Sequence, residues 1–138
     1  MAKRILITGG AGFIGSTIAD LFLQSGWDVA VLDDLSSGKR ENVPAGARFY
    51  PVDVRSAAAH EAILKERPQV ICHQAAQIDV RRSMADPRFD ADVNVGGLLN
   101  VMQSAVEARS RSQTAIRPVI PFGTLPRSPI TATPFDFK

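Results

Sequence analysis

The chain has 138 residues, 16 Lys+Arg against 14 Asp+Glu, and an apolar fraction of 45%. These figures suit one globular domain. They exclude a disordered chain, a disulfide scaffold (Cys72 is the one cysteine) and a membrane span, since no apolar run approaches about 18 residues. Met1-Ala2-Lys3-Arg4 leads straight into strand-like sequence without the apolar segment of a secretory signal, so a cytoplasmic setting is expected. A balance of +2 is poor support for a polyanion, and no nucleic-acid partner is expected. The charge is unevenly spread. Residues 1–109 hold 12 basic and 13 acidic groups, net −1, whereas residues 110–138 hold four basic and one acidic, net +3, with five of the nine prolines.

Arg4 to Thr8 (RILIT) is a short apolar, β-branched run, the pattern of a buried parallel strand. Gly9 to Gly15 is glycine-rich. Phe13, Ile14, Thr17, Ile18, Leu21 and Phe22 then recur at spacings of three and four, which predicts one buried helix face. Gly26 stands where a helix C-terminal glycine belongs. A second strand is predicted at Asp28–Asp33, a loop over 34–47 and a third strand at Arg48–Val52. Ser56 can cap a helix ending near Arg67, before Pro68. Gln69–His73 reads as a fourth strand. Asp86 and Pro87 open a helix with apolar positions Phe89, Val93, Leu98, Leu99, Met102, Ala105 and Val106. Strands alternating with helices predict an α/β fold with a parallel sheet. Beyond Arg109 the periodicity stops. Prolines at 118, 121, 126, 129 and 134 forbid a long helix, and Pro118 interrupts a possible strand at Ile116–Ile120. An irregular tail is expected over 110–138.

Thr8-Gly9-Gly10-Ala11-Gly12-Phe13-Ile14-Gly15-Ser16 fits GxxGxxG through Gly9, Gly12 and Gly15, between a strand and a helix. In that context early glycines permit the tight turn and Gly12 lets backbone approach a pyrophosphate. Gly15 lets helix and strand pack closely. The helix N-terminus directs free N–H groups and about half a positive charge at the phosphates. A P-loop is excluded, because no Gly-Lys-Ser/Thr follows. Asp33 lies 24 positions after Gly9 at the end of the second strand, where a carboxylate accepts from ribose hydroxyls and repels a 2′-phosphate. That favours NAD over NADP, with Lys39 and Arg40 nearby as opposing cations.

Five segments in order, TGGAGFIGS, LDDLSSGKREN, VDVR, HQAAQIDVRRSMADP and DVNVGGLLNVM, resemble the N-terminal half of the extended short-chain dehydrogenase/reductases. The nearest likeness is to the NAD-dependent nucleotide-sugar epimerases and dehydratases, UDP-glucose 4-epimerases in particular, over about Lys3 to Ala108. The resemblance implies a partial Rossmann fold, a doubly wound sheet of about four strands in the order 3-2-1-4, with residues 1–109 as the N-terminal part of an NAD-binding domain. The fourth strand would then lie at an exposed edge. It further implies that Phe13 and Ile14 lie with the glycines under the pyrophosphate. Asp33 holds the ribose, and Asp34, Ser36, Ser37 and Gly38 wrap the adenosine side. Asp53 and Val54 border the adenine, and Ala75, Ala76 and Gln77 pass the nicotinamide-side ribose. Asn94 orders the active site. Asp34 and Leu98 depart from the residues common in the family, Asn and Thr.

Other residues read as structural. Cys72 is a small strand residue without a His/Asn partner, and no second His or Cys sits at metal-ligand spacing from His73, so no metal site is expected. His60 is expected to face solvent. Arg81 and Arg82 could meet a nucleotide-sugar phosphate but read first as exposed arginines.

The chemistry that the resemblance implies needs a Tyr-x-x-x-Lys pair, the tyrosine moving a proton while hydride passes to or from the nicotinamide. Tyr50 is the one tyrosine, and Val54 stands four positions on. In the faint echo at 117–123, Phe122 and Pro126 occupy the two positions. No catalytic residue is therefore assigned. The reading is the NAD-binding portion of a nucleotide-sugar epimerase that is inactive as this chain. Alternatives are a dehydratase portion or a non-catalytic dinucleotide-binding module. The partner is a nucleotide sugar in the longer family members, with a homodimer possible. A frame change after codon 109 would account for the shift in charge and periodicity.

Overall fold

The structure is a computed structural model that describes residues 2–110. The expectations for the tail, including Ile116–Ile120 and the Phe122/Pro126 echo, lie outside the described residues. Four strands, β1 (Arg4–Thr8), β2 (Asp28–Leu32), β3 (Arg48–Tyr50) and β4 (Val70–His73), form one parallel sheet in the order β3-β2-β1-β4. The central pair is in register from Arg4↔Asp28 to Thr8↔Leu32, so both chains leave the sheet at the same edge. The predicted class and order are found, and β4 lies at an edge of the sheet.

Side-chain alternation divides the core into two layers. Leu6, Ala30, Leu32 and Ile71 face α2 (Ala57–Glu66) and α5 (Gly97–Ser110), where they meet Ala59, Ile63, Val101 and Ala108. Ile5, Ile7, Val29, Val31 and Cys72 face α1 (Phe13–Gln24) and the loop carrying Val43. Ser56 caps α2 by accepting from the Ala59 N–H at 3.1 Å, as its position predicts. Gly26, at φ +77°, closes α1, and Trp27 folds back edge-on against Phe22 with ring centroids 5.0 Å apart.

The predicted buried face of α1 holds only at Ile18 and Phe22. Phe13, Ile14, Thr17 and Leu21 are exposed, and Phe13 retains 87% of its surface. The side that packs is Gly15, Ile18, Ala19 and Phe22. Small residues let the helix approach the sheet closely, and a pattern judged on large apolar residues misses them. The expectation for His60 is also wrong. Its Nδ1 lies 2.9 Å from Ser104 Oγ and its Nε2 3.3 Å from Glu107 Oε2, which joins α2 to α5.

The helix predicted from Asp86 onward is three pieces: α4 (Pro87–Ala91), a π-turn over Asp92–Gly96, and α5. Before them lies α3 (Val80–Ala85), which the sequence reading lacked. Asp79 caps α3 by accepting from the Arg81 N–H at 2.9 Å, and Asp86 caps α4 by accepting from the Phe89 N–H at 3.0 Å. The extra residue in the π-turn shifts the helix face at Asn94.

Candidate dinucleotide site at the carboxyl ends of the strands

In an open α/β sheet the crevice forms outside the carboxyl ends of the strands, where the strand order reverses. Here the reversal lies between β1 and β4, and a cleft of about 440 Å³ opens there. Ile14, Ala75, Ala76 and Asn94 of the predicted set line it, together with His73 and Gln74.

The turn after β1 depends on its glycines. Gly9 takes φ +67°, and a Cβ on it would stand 2.6 Å from the Ala75 nitrogen. A Cβ on Gly15 would stand 2.2 Å from the Gly9 carbonyl oxygen, so the second turn of the loop rests on the first. Gly12 differs. Its φ of −80° suits any residue, and its Cβ would meet only the Gly9 oxygen, at 3.4 Å. Among the described residues nothing demands glycine there. Gly12 also starts α1, which no side chain caps and whose first turn holds no acidic residue. The structure thus presents an uncapped, partly positive helix end beside open space, with the exposed Phe13 and Ile14 at its mouth.

Asp33 is 8% exposed, and its carboxylate accepts from the Ala11 N–H at 3.0 Å and the Leu35 N–H at 2.8 Å. It therefore couples the glycine turn to the loop after β2. Leu35 holds φ +61°, a conformation unusual for leucine, as the chain turns past Asp34, whose carboxylate accepts from Ser36 N–H. Ser36, Ser37 and Gly38 then run over the glycine turn. The Ala11 carbonyl accepts from Lys39 N–H at 3.0 Å and from Asn42 Nδ2 at 2.9 Å, and a Cβ on Gly38 would come within 2.8 Å of Ala11. Asp33, Asp34, Ser36, Ser37, Gly38, Asp53 and Val54 are not part of the cleft lining. They lie at the β2 and β3 ends, and Val54 is buried beneath α5.

On the β4 side, hydrogen-bond accounting fixes a tautomer. The Thr8 hydroxyl accepts from Gln74 N–H at 3.1 Å and Ala75 N–H at 3.2 Å, which fills its two lone pairs. Its own proton goes to His73 Nδ1, 2.8 Å away. The imidazole is then neutral with the proton on Nε2, and burial holds its pKa below the ordinary histidine value. Burial raises the thiol pKa of neighbouring Cys72. Asn94 brackets the next residues: Oδ1 accepts from Gln77 N–H at 2.8 Å and Nδ2 donates to Gln77 C=O at 3.0 Å. The Gln77 side chain turns away toward α3, where Nε2 donates to Asp79 C=O at 2.8 Å. Arg81 and Arg82 are exposed, and Arg82 stacks on Phe89 at 3.8 Å. Among the described residues no group of three or more His, Cys, Asp or Glu is placed to hold a metal ion.

Sequence reasoning missed the Thr8–His73 lock and Asn42. A hydroxyl at the end of β1 facing a ring at the end of β4 was a possible signal for the first. The second carries none, because it depends on how a loop folds.

A family model described as "NAD dependent epimerase/dehydratase family" matches residues 5–124. The chain belongs to that family. The UDP-glucose 4-epimerase of Mycolicibacterium smegmatis is 45% identical over 107 residues, 74% of this chain and 34% of its own length. A putative UDP-glucose 4-epimerase of Methanocaldococcus jannaschii is 43% identical over 99 residues, 72% of this chain and 32% of its own. The Thermus thermophilus UDP-glucose 4-epimerase, solved in complex with NAD, superimposes with a TM-score of 0.73 at 47% identity over 76% of this chain and 34% of that one. The Thermotoga maritima UDP-glucose 4-epimerase, solved with UDP-glucose, gives 0.73 at 40% identity over the same shares. The chain spans about a third of the length of these relatives. No described helix is long and apolar enough to cross a membrane.

Proposed function

We propose that the chain is the NAD-binding portion of a UDP-glucose 4-epimerase-like nucleotide-sugar epimerase. The observation that carries this reading is Gly12. It is a glycine that the fold does not need, at an uncapped helix end, beside a loop tied to the buried Asp33 carboxylate. The pairing suits a dinucleotide: N–H donors for the pyrophosphate and acceptors for the ribose hydroxyls. Backbone N–H groups at Gly12, Phe13 and Ile14 would hold the pyrophosphate. Asp33 would orient the adenosine ribose and disfavour a 2′-phosphate, with Asp34 and Ser36–Gly38 along its flank. Asp53 and Val54 would border the adenine. Ala75, Ala76 and the main chain at Gln77, bracketed by Asn94, would pass the second ribose. His73, held neutral, would keep positive charge away from a cationic nicotinamide.

When bound, NAD supplies a reversible hydride acceptor at the sugar carbon. The residues described here bind and orient. They do not include a proton-transfer pair, since the Tyr50 hydroxyl donates to Glu66 and burial raises its pKa to about 12. Dinucleotide binding without turnover is therefore the second reading for this chain by itself. The nucleotide sugar belongs to the longer relatives. The exposed apolar residues Val95 in the π-turn and Leu99, Met102 and Val106 on α5 support a homodimer. A cytoplasmic setting, where the free Cys72 stays reduced, completes the proposal. Calorimetric titration with NAD and with NADP tests it. Saturable NAD binding and at least about tenfold weaker NADP binding are expected; absence of NAD binding refutes it.

A further inference from the structure

The loop after β2 carries a strained residue and little packing of its own. Leu35 holds φ +61°, a conformation that costs a leucine free energy and relaxes unless the loop is held. None of residues 34–38 is buried, and Asp34, Ser36 and Ser37 are exposed. Hydrogen bonds at the two ends of this stretch therefore keep it in place. At the near end Leu35 N–H donates to Asp33 Oδ1 at 2.8 Å. At the far end the bonds converge on Ala11.

Ala11 is fully buried, and both of its backbone groups are engaged. Its N–H donates to Asp33 Oδ2 at 3.0 Å. Its carbonyl accepts from Lys39 N–H at 3.0 Å and from Asn42 Nδ2 at 2.9 Å, which fills both lone pairs. Among the described residues, Asn42 provides the one side-chain hydrogen bond from the far end of the loop to the glycine turn. The backbone that carries Asn42 is itself rooted. Val43, the next residue, is 6% exposed and belongs to the α1-side core, and the Arg40 guanidinium carbon lies 4.7 Å above the Phe49 ring.

We propose that Asn42 is a positioning residue that latches the loop after β2 onto the glycine turn and so preorganises the adenosine half of the dinucleotide site. The inference deepens the cofactor reading above and rests on it. Asn42 acts through the Ala11 carbonyl, and the groups it keeps in place are Ser36, Ser37 and Gly38. A loop already closed on the turn binds without an ordering cost. A loop free to relax at Leu35 binds only from the fraction that is closed, and the apparent affinity falls by that fraction.

The test is calorimetric titration of the 138-residue chain with NAD and with ADP-ribose, which lacks the nicotinamide, together with amide hydrogen exchange followed by NMR. Asn42→Ala should weaken both ligands equally, about fivefold, as the loss of one hydrogen bond allows, at unchanged stoichiometry. The Lys39 amide of the unliganded variant should exchange at least about fivefold faster, while the Ile63 amide in α2 keeps its rate. A side chain with a merely structural role would loosen both amides together. If Asn42→Ala fails to fold, judged by far-UV dichroism, Asn42→Ser is read instead; its hydroxyl is too short to reach Ala11, and the same changes are expected. Unchanged affinity, unchanged Lys39 exchange, equal acceleration at Ile63, or weakening of NAD without ADP-ribose overturns the inference and leaves the cofactor reading intact. An unsubstituted chain that binds neither ligand overturns both.

Discussion

Gly15→Ala and Gly12→Ala separate glycine needed for packing from glycine needed for a ligand. At Gly15 the new methyl would lie 2.2 Å from the Gly9 carbonyl oxygen and 2.8 Å from Gly10 Cα, both backbone atoms. Ordinary contact begins near 3.4 Å, so α1 and the turn must separate by about 1 Å. Overpacking of this kind costs about 1–3 kcal/mol, and backbone on both sides puts Gly15 at the upper end. Alanine regains about 1 kcal/mol of helix propensity, which leaves a net loss of about 2 kcal/mol. In a domain of this size that lowers the melting temperature by about 8 °C. At Gly12 the methyl meets one atom at 3.4 Å with unstrained backbone, so the loss is about 0.5 kcal/mol, from the poorer helix start. Thermal melts and NAD titration on both variants provide the assay. Gly15→Ala should lose stability and weaken NAD binding. Gly12→Ala should melt within about 2 °C of the parent yet weaken NAD at least about tenfold. Gly12→Ala that binds NAD normally would refute the claim that this open space receives the pyrophosphate.

Further outcomes follow from the charges. Burial raises the Glu66 carboxyl, but hydrogen bonds from Arg48 (2.9 and 2.6 Å) and Tyr50 outweigh it, and the net pKa is lowered from 4.5. Its stabilisation is present above about pH 4.5 and lost as pH falls through the depressed folded value, so acid titration of Glu66→Gln should show a flatter limb. His73 has a folded pKa below 6.5, so the unfolded chain takes the proton first and stability falls as pH drops below about 6.5. His73→Asn should remove that step in a urea-midpoint series. Asp33→Asn loses the charge and, having one oxygen in place of two, keeps only one of the Ala11 and Leu35 contacts; it should narrow the NAD-over-NADP preference about tenfold in titration. The 138-residue chain alone should show no interconversion of UDP-glucose and UDP-galactose in a coupled assay.

Strands buried on both faces announce themselves as apolar runs, so β1, β2 and β4 were legible to within a residue, and the alternation with helices fixed a parallel sheet. The glycine turn was equally plain, because few other reasons gather four glycines between a strand and a helix. Faces were less legible. On α1 the small residues Gly15 and Ala19 pack beside Ile18 and Phe22, while Phe13 and Leu21 stand in solvent. Short pieces also escaped: α3 has six residues, and its one strong local signal is the Asp79 cap. The π-turn at Asp92–Gly96 breaks a helix that periodicity reads as continuous. Side-chain brackets across long separations, such as Asn94 on Gln77, Asn42 on Ala11 and Arg55 between Asp53 and Asp92, exist only once the sheet has brought the loops together.

The central claim is that the glycine turn and the Asp33 loop receive NAD together. Backbone amide chemical-shift mapping during NAD titration tests it most directly. The account predicts concerted, saturable shifts at Ala11, Gly12, Phe13, Ile14, Leu35 and Ala75, with the α2 amides unmoved. Saturable binding whose shifts gather on α2 or α5 and spare the glycine turn would contradict it.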